Sequence, residues 1–122
     1  MIRLGTALKS TEHPYHCCLV ISDPSACNGV VVLVRITTDD GTWPDRDCIL
    51  MPADWDQLEH ASTVAYSTCK FGKAGAALES AIQRGLFTLI PPPSAAVLKR
   101  VIAAAQTASG MPPGAKRYLP QL

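Results

Sequence analysis

The chain has 122 residues, of which 48% are hydrophobic and 17% charged, and its formal net charge at pH 7 is +1. This length and composition predict one globular domain with an ordinary core, and they exclude a disordered chain. No apolar run approaches the roughly 20 residues that span a bilayer, and the N-terminal segment lacks the pattern of a signal peptide, so we expect a cytoplasmic protein.

The charges are unevenly distributed along the sequence. Residues 1–59 carry four basic and nine acidic side chains, a net charge of −5, whereas residues 60–122 carry seven basic and one acidic side chain, a net charge of +6. This asymmetry is compatible with a polyanionic partner. It does not require one, because the sequence contains neither a basic run nor basic residues interleaved with aromatic ones.

Two apolar runs joined by a turn-rich loop dominate the first third of the chain. They follow residues 2–8, which predict a short strand or an extended arm. Residues 16–22 and 30–37 are rich in β-branched side chains, and the loop between them supplies Asp, Pro, Ser, Asn and Gly, so they predict two adjacent antiparallel strands. The second run is almost continuously apolar, which favours a central strand buried on both faces. In such a pair, His16 and Thr37 are expected to be neighbours at one rim.

The remaining segments predict a mainly β fold that ends in a helix. We expect a short strand at 48–51, a helical turn at 53–61 and a strand at 62–68. A helix follows at 73–84 and ends at Gly85, with a strand near 75–82 as the alternative, and a further strand is expected at 86–90. Ser94 is a natural N-cap for an amphipathic helix at about 94–108, which Gly110 ends. Residues 1–110 are therefore expected to form one domain, and residues 111–122 a Pro-rich irregular tail.

The fold class predicted from these elements is mainly β (β+α). About five short strands follow one another without βαβ alternation, which favours a small barrel or a strongly bent sheet with a C-terminal amphipathic helix. The five cysteines are odd in number and form no CxxC pair. We expect them to be reduced and mostly buried as small hydrophobic residues.

The order of several motifs resembles the PemK/MazF (CcdB/PemK-like) family of bacterial growth-inhibiting toxins. The motifs are VISDP after His16, VRITT, CILMP, and His60-x-Ser62-x-Val64-x-Tyr66, and the resemblance covers residues 13–106. It implies an SH3-like barrel with a C-terminal helix, an endoribonuclease activity on RNA, a homodimer, and a cognate antitoxin that inserts a chain segment into the active groove. No cofactor is implied.

One position departs from the family pattern. The usual toxins carry Arg-Pro just before the LVIS-type strand, and that arginine works with the threonine that ends the next strand. In this sequence His16 and Cys17 stand in those places, whereas Thr37 falls on the threonine position. The resemblance therefore implies a divergent branch of the family, in which a titrating group replaces a fixed charge.

The candidate site residues follow from the chemistry of RNA cleavage. Two histidines with a pKa near ~6.5 can act as base and acid at neutral pH, and hydroxyl groups and a cation can stabilise the phosphate. We expect His16 and His60 to form the acid/base pair and Arg35 to share a strand face with Thr37. The expected catalytic residues are His16, Thr37, His60, Ser62 and Tyr66, and the expected substrate-binding residues are Arg35, His13 and Trp55.

Two other hypotheses remain open at this point. The same fold serves equally as a non-catalytic module that binds a protein or a nucleic acid, in which case the histidines have structural roles. A zinc-dependent protein is the third hypothesis, with ligands drawn from His13, His16, Cys17 and Cys18 and from Cys48, His60 and Cys69. The spacing is unusual for zinc, since Cys17 and Cys18 point to opposite faces of a strand.

Overall fold

An antiparallel sheet forms the centre of the computed structural model, which describes residues 2–13 and 15–121. Within these residues it has seven strands, hydrogen-bonded in the order β4-β5-β3-β2-β1-β7, and β6 pairs with β3. The strands are β1 (Ala7–Ser10), β2 (Cys17–Val20), β3 (Val31–Thr38), β4 (Ile49–Leu50), β5 (Ser62–Val64), β6 (Lys70–Gly72) and β7 (Phe87–Ile90). The predicted mainly β class is confirmed.

Strand β3 is the central strand. It pairs with β2 along one edge, and its other edge is shared by β6, which pairs with Val31–Leu33, and β5, which pairs with Ile36–Thr38. A 3-10 turn at Tyr66–Thr68 carries the chain from β5 to β6. The turn between β2 and β3 contains left-handed Asn28 (φ 63) and Gly29 (φ 82), conformations that these residue types adopt most readily.

Three helices accompany the sheet: α1 (Gly75–Gln83), α2 (Ala95–Thr107) and α3 (Pro113–Lys116). The predicted helices at 73–84 and 94–108 are confirmed, and the Ser94 Oγ caps α2 by accepting a hydrogen bond from the Val97 amide at 3.2 Å. The buried stripe of α2 packs into the main core, whereas α1 covers a smaller cluster on Val20 and Val31. None of the described helices is long and apolar enough to cross a membrane.

The predicted tail is more ordered than expected. Residues 111–122 were predicted to be irregular, but within the described part α3 forms and Met111, Ala115 and Leu119 are buried in the main core. Ala115 lies in α3, and turn hydrogen bonds from Met111 to Ala108 and from Leu119 to Lys116 fold the flanking segments back onto the core. The tail is therefore part of the domain.

The two ends of the strand order are joined by side chains. Within the described residues β4 and β7 are not paired with each other. Trp55, which follows β4, is 3% exposed and donates its indole Nε1 proton to the Pro91 carbonyl, just after β7, at 3.0 Å. Arg100 of α2 bonds both Asp54 and the Ile49 carbonyl. These contacts hold the bent sheet together where strand pairing stops.

Asp45 is a buried carboxylate that positions the segment after β5. Its side chain accepts hydrogen bonds from the amide and the hydroxyl of Ser67, and its carbonyl accepts one from the Thr63 hydroxyl. A Cβ at Gly110 would lie 2.5 Å from the Asp45 Oδ1. Gly110 therefore permits this close approach. Gly110 was expected to end helix α2, but the helix already ends at Thr107.

Candidate functional site

A cleft of about 400 Å³ opens at the rim of the sheet where β2 begins and β3 ends. Cys17 pairs with Ile36, so the same register continued by one residue places His16 opposite Thr37. This is the juxtaposition expected from the two apolar runs. The segment 57–60, which leads into β5, forms the facing wall of the cleft.

All three histidines of the chain line this cleft. His13 lies in the β1–β2 loop, His16 directly precedes β2, and His60 precedes β5. Within the described residues none of the three imidazole rings makes a hydrogen bond, and the His13 ring meets the Tyr15 ring edge-on at 5.7 Å between centroids. Three imidazole rings, two from the β1–β2 connection and one from the segment before β5, therefore remain available to a ligand at one place.

The backbone on each side of the cleft is held by hydrogen bonds. The His16 amide donates to the Ser10 Oγ at 2.9 Å, and the His16 carbonyl accepts from the Ser10 amide at 3.1 Å. On the facing wall, the Ser62 Oγ donates to the His60 carbonyl at 2.9 Å. Ser62 lines the cleft but is 4% exposed and its proton is used in this bond, so we assign it to positioning His60 rather than to donating to a substrate.

Arg35 and Thr37 share a strand face, as expected from their spacing. The Arg35 guanidinium lies over the Trp43 ring at 5.5 Å, and its Nε is buried without a hydrogen-bond partner among the described residues. Within residues 2–13 and 15–121, the Thr37 hydroxyl makes no hydrogen bond. Arg35 lies beside the cleft, not in its wall, and Thr37 lies in the wall. A cation and a free hydroxyl thus flank His16.

The electrostatics of the cleft favour a neutral His16. Its partial burial, followed by the positive charges of Arg35 and His13, lowers the pKa of His16 below the ordinary value of 6.5. Desolvation and nearby positive charge both disfavour the imidazolium form. His16 is therefore suited to accept a proton at neutral pH.

Replacing Arg35 with glutamine is expected to raise the pKa of His16 toward its ordinary value, because one of the two positive charges that oppose its protonation is removed. Burial is the larger cause, so part of the shift should persist. An NMR titration of the His16 ring protons measures the change. Lys73→Gln is the matched control, since Lys73 follows β6 at the opposite end of β3. An equal response in both variants, or none in Arg35→Gln, would contradict this electrostatic coupling.

Two residues expected at the site lie in the core instead. Tyr66 is fully buried, its hydroxyl donates to the Val101 carbonyl at 2.6 Å, and burial raises its pKa well above the ordinary value. The predicted strand 62–68 ends at Val64, and the 3-10 turn replaces the alternation that was to carry Tyr66 to the site. Trp55 is likewise buried and bonded to Pro91. Neither residue lines the cleft.

Tyr66→Phe is expected to lower the free energy of unfolding by about 1 kcal/mol, because one buried hydrogen bond to α2 is lost. Any activity of the cleft should be unchanged. Urea unfolding and RNA cleavage assays on the same preparation measure the two effects. If Tyr66→Phe leaves the free energy of unfolding unchanged and strongly lowers the rate of RNA cleavage, Tyr66 is a catalytic residue after all.

The cleft residues that were not predicted from the sequence include Lys9, Tyr15 and Glu59. The first strand was expected at 2–8, but it lies at Ala7–Ser10 and places Lys9 opposite Cys17. The segment ALKS has no β-branched residue, so its composition does not mark it as a strand. Glu59 stands beside His60 and adds a negative charge to the facing wall.

The cysteines are all free, as expected. Cys17, Cys18 and Cys48 are buried, and burial raises the pKa of Cys18 and of Cys69 to about 11. Cys17 reaches the cleft, but burial raises the pKa of its thiol too, which disfavours the nucleophilic thiolate. In the part of the chain that the structure describes, no three His, Cys, Asp or Glu side chains are grouped to hold a metal ion, so no residues can be named for a zinc site.

Comparisons with known proteins return one informative similarity. No protein-family model matches the sequence, and no curated protein matches it. Among solved structures, a chain of the crystal structure of MazE-MazF (form III) from Deinococcus radiodurans is similar, with 15% identity and a TM-score of 0.49, over 84% of this chain and 90% of that one. At this identity and TM-score, the similarity assigns neither an activity nor a partner to the chain.

Proposed function

We propose that this chain is the toxin of a toxin–antitoxin pair and that it cleaves RNA without a metal ion. The observation that carries the proposal is the convergence of all three histidines on one cleft, beside the free hydroxyl of Thr37 and the cation of Arg35. Two imidazoles are sufficient for both proton transfers that RNA cleavage by its own 2′-hydroxyl requires. The motif order described above supports the assignment to toxins.

In the proposed reaction, His16 takes the proton from a ribose 2′-hydroxyl. The 2′-oxygen forms a bond to the adjacent phosphorus, and the bond between phosphorus and the 5′-oxygen breaks. His60, on the facing wall, supplies a proton to the departing 5′-oxygen. The products are a 2′,3′-cyclic phosphate and a free 5′-hydroxyl, so no atom is added and no co-reactant is needed.

The roles follow from the surroundings of each residue. His16 is the base because its lowered pKa keeps it neutral at neutral pH. Thr37 donates to a non-bridging phosphate oxygen, and Arg35 offsets the charge that accumulates there. His13, on the exposed loop, contacts the bound RNA. We leave Tyr66 and Trp55 out of the reaction because both are in the core.

The partners belong to the same proposal. An antitoxin segment that occupies the cleft would block both His16 and His60, and a homodimer is the assembly that the motif resemblance implies. Light scattering on the purified chain tests the homodimer directly, with a monomer at micromolar concentration as the contradicting result.

Induced expression in bacteria tests the function. The wild type should arrest growth and produce new RNA 5′ ends, and His16→Ala and His60→Ala should do neither. Equal arrest by all three without cleavage would favour a non-catalytic module of this fold that binds a protein or nucleic acid. No arrest by any of them would contradict the toxin assignment.

A further inference from the structure

We propose that Lys9 and Tyr15 form a second nucleotide subsite next to the catalytic cleft, which binds the nucleotide adjacent to the cleaved bond. This inference rests on the proposed function, because it takes RNA to be the ligand of the cleft. The class of ligand is then single-stranded RNA that extends beyond the reacting dinucleotide. Tyr15 supplies the surface for its base, and Lys9 supplies the charge for its phosphate.

A second concavity of about 390 Å³ lies beside the cleft. It is lined by Lys9, Ser10, Thr11, Tyr15, Thr88 and Ile90. Lys9 and Tyr15 line both concavities, so the two are continuous across these side chains. A ligand that fills one can therefore pass over Lys9 into the other without leaving the protein surface.

The sheet register explains this continuity. Thr88 of β7 pairs with Lys9 of β1, Lys9 pairs with Cys17 of β2, and Cys17 pairs with Ile36 of β3. Directly paired residues lie on the same face, so these four form one row across four strands. Three strand spacings of roughly 4.8 Å make this row about 14 Å long. The second concavity lies at its Thr88 end. At the other end Cys17 and Ile36 are buried in the main core, on the face opposite His16 and Thr37, so the two concavities meet at Lys9 and Tyr15.

The chemistry where the two concavities meet suits a nucleic acid. The Tyr15 side chain is 60% exposed, which is unusual for a large aromatic residue and leaves its ring available for stacking. Lys9 has no ion-pair partner among residues 2–13 and 15–121, and it lies between the two concavities, where the phosphate linking two nucleotides would pass. A cation and an exposed aromatic ring that both concavities share favour RNA over a peptide.

The loop that carries Tyr15 is anchored. The Thr11 hydroxyl donates to the Gly85 carbonyl at 2.6 Å, and the Thr11 amide donates to the Leu86 carbonyl at 3.2 Å. At its other end, the His16 amide is bonded to Ser10. The chain is therefore held by hydrogen bonds at Thr11 and at His16, on either side of Tyr15.

The test measures binding of a fluorescently labelled single-stranded RNA whose reacting nucleotide is 2′-deoxy, so that it cannot be cleaved. Tyr15→Ala is expected to weaken binding about ten-fold, because one base–aromatic stack is lost. Tyr15→Phe should bind like the wild type, and Tyr118→Ala, a tyrosine that follows α3 and contacts Phe71, is the matched control. Lys9→Met should weaken binding and reduce its salt dependence.

A shorter probe separates this subsite from the catalytic cleft. A dinucleotide that reaches only the cleft should lose less affinity on Tyr15→Ala than the longer RNA does. Equal binding of the long RNA by the wild type and Tyr15→Ala would overturn the subsite. If the wild type cleaves RNA with a KM that Tyr15→Ala does not change, the subsite is wrong and the proposed function stands. If the wild type neither binds nor cleaves RNA, the subsite and the proposed function are both wrong.

Discussion

His16→Ala is expected to lower the rate of RNA cleavage by about 10²–10⁴-fold, the range for loss of a general base. His16 stands opposite Thr37 at the rim of the cleft, and its lowered pKa makes it the proton acceptor at neutral pH. Its ring makes no hydrogen bond to the rest of the described chain, so the substitution should change the free energy of unfolding little. Initial rates on a defined RNA, with circular dichroism as the folding control, measure both effects.

His13→Ala provides the comparison within the same cleft. His13 is exposed and its ring meets the Tyr15 ring, so we expect a smaller loss, expressed mainly in KM. Free imidazole in the buffer should restore part of the rate of His16→Ala by entering the space left by the ring. A fully active His16→Ala enzyme would place the base elsewhere, and Glu59 would be the next candidate.

Trp55→Ala is expected to destabilise the protein by about 3–5 kcal/mol, the range for truncating a buried aromatic side chain. Trp55 is 3% exposed and joins the two unpaired ends of the strand order through its bond to Pro91. This loss is a large fraction of a typical domain stability of about 5–15 kcal/mol. Trp55 was expected from the sequence to bind substrate, and this result would establish its structural role instead.

Trp43→Ala is the matched control for Trp55→Ala, because Trp43 is also a tryptophan but is only half-buried and packs against Arg35. It should lower the free energy of unfolding much less than Trp55→Ala. Denaturant unfolding of the two variants, followed by circular dichroism, compares them directly. Equal stability of Trp55→Ala and the wild type would contradict the part assigned to Trp55 in holding the sheet together.

The strands of the fold were predictable where local sequence and tertiary context agree. The pairing of β2 with β3 follows from β-branched runs around a turn that contains Asn28 and Gly29, and α2 follows from Ser94 and its apolar stripe. Strand β1 was not located correctly, because ALKS has no strand signal of its own and forms a strand only by pairing with β2 and β7. The buried tail was missed because its prolines pointed to irregular structure.

The juxtaposition of His16 and Thr37 at one rim was predictable from strand pairing alone. The antiparallel register brings His16 to Thr37, and the segment before β5 brings His60 to the same rim. Tyr66 was wrongly included because the sequence does not reveal that β5 stops at Val64 and continues as a 3-10 turn. Lys9 and Tyr15 depend on the β1 register, so only the structure brings them to the cleft.

Analysis of the reaction products tests the central claim most directly. Purified protein is incubated with an RNA that it cleaves, in the presence of a chelator, beside the same RNA with a single 2′-deoxy nucleotide at the cleavage position. The proposed mechanism predicts cleavage of the all-ribose RNA with a 2′,3′-cyclic phosphate and a 5′-hydroxyl, and no cleavage at the deoxy position. Cleavage at that position, or loss of all activity on chelation, would contradict a histidine-based attack by the 2′-hydroxyl.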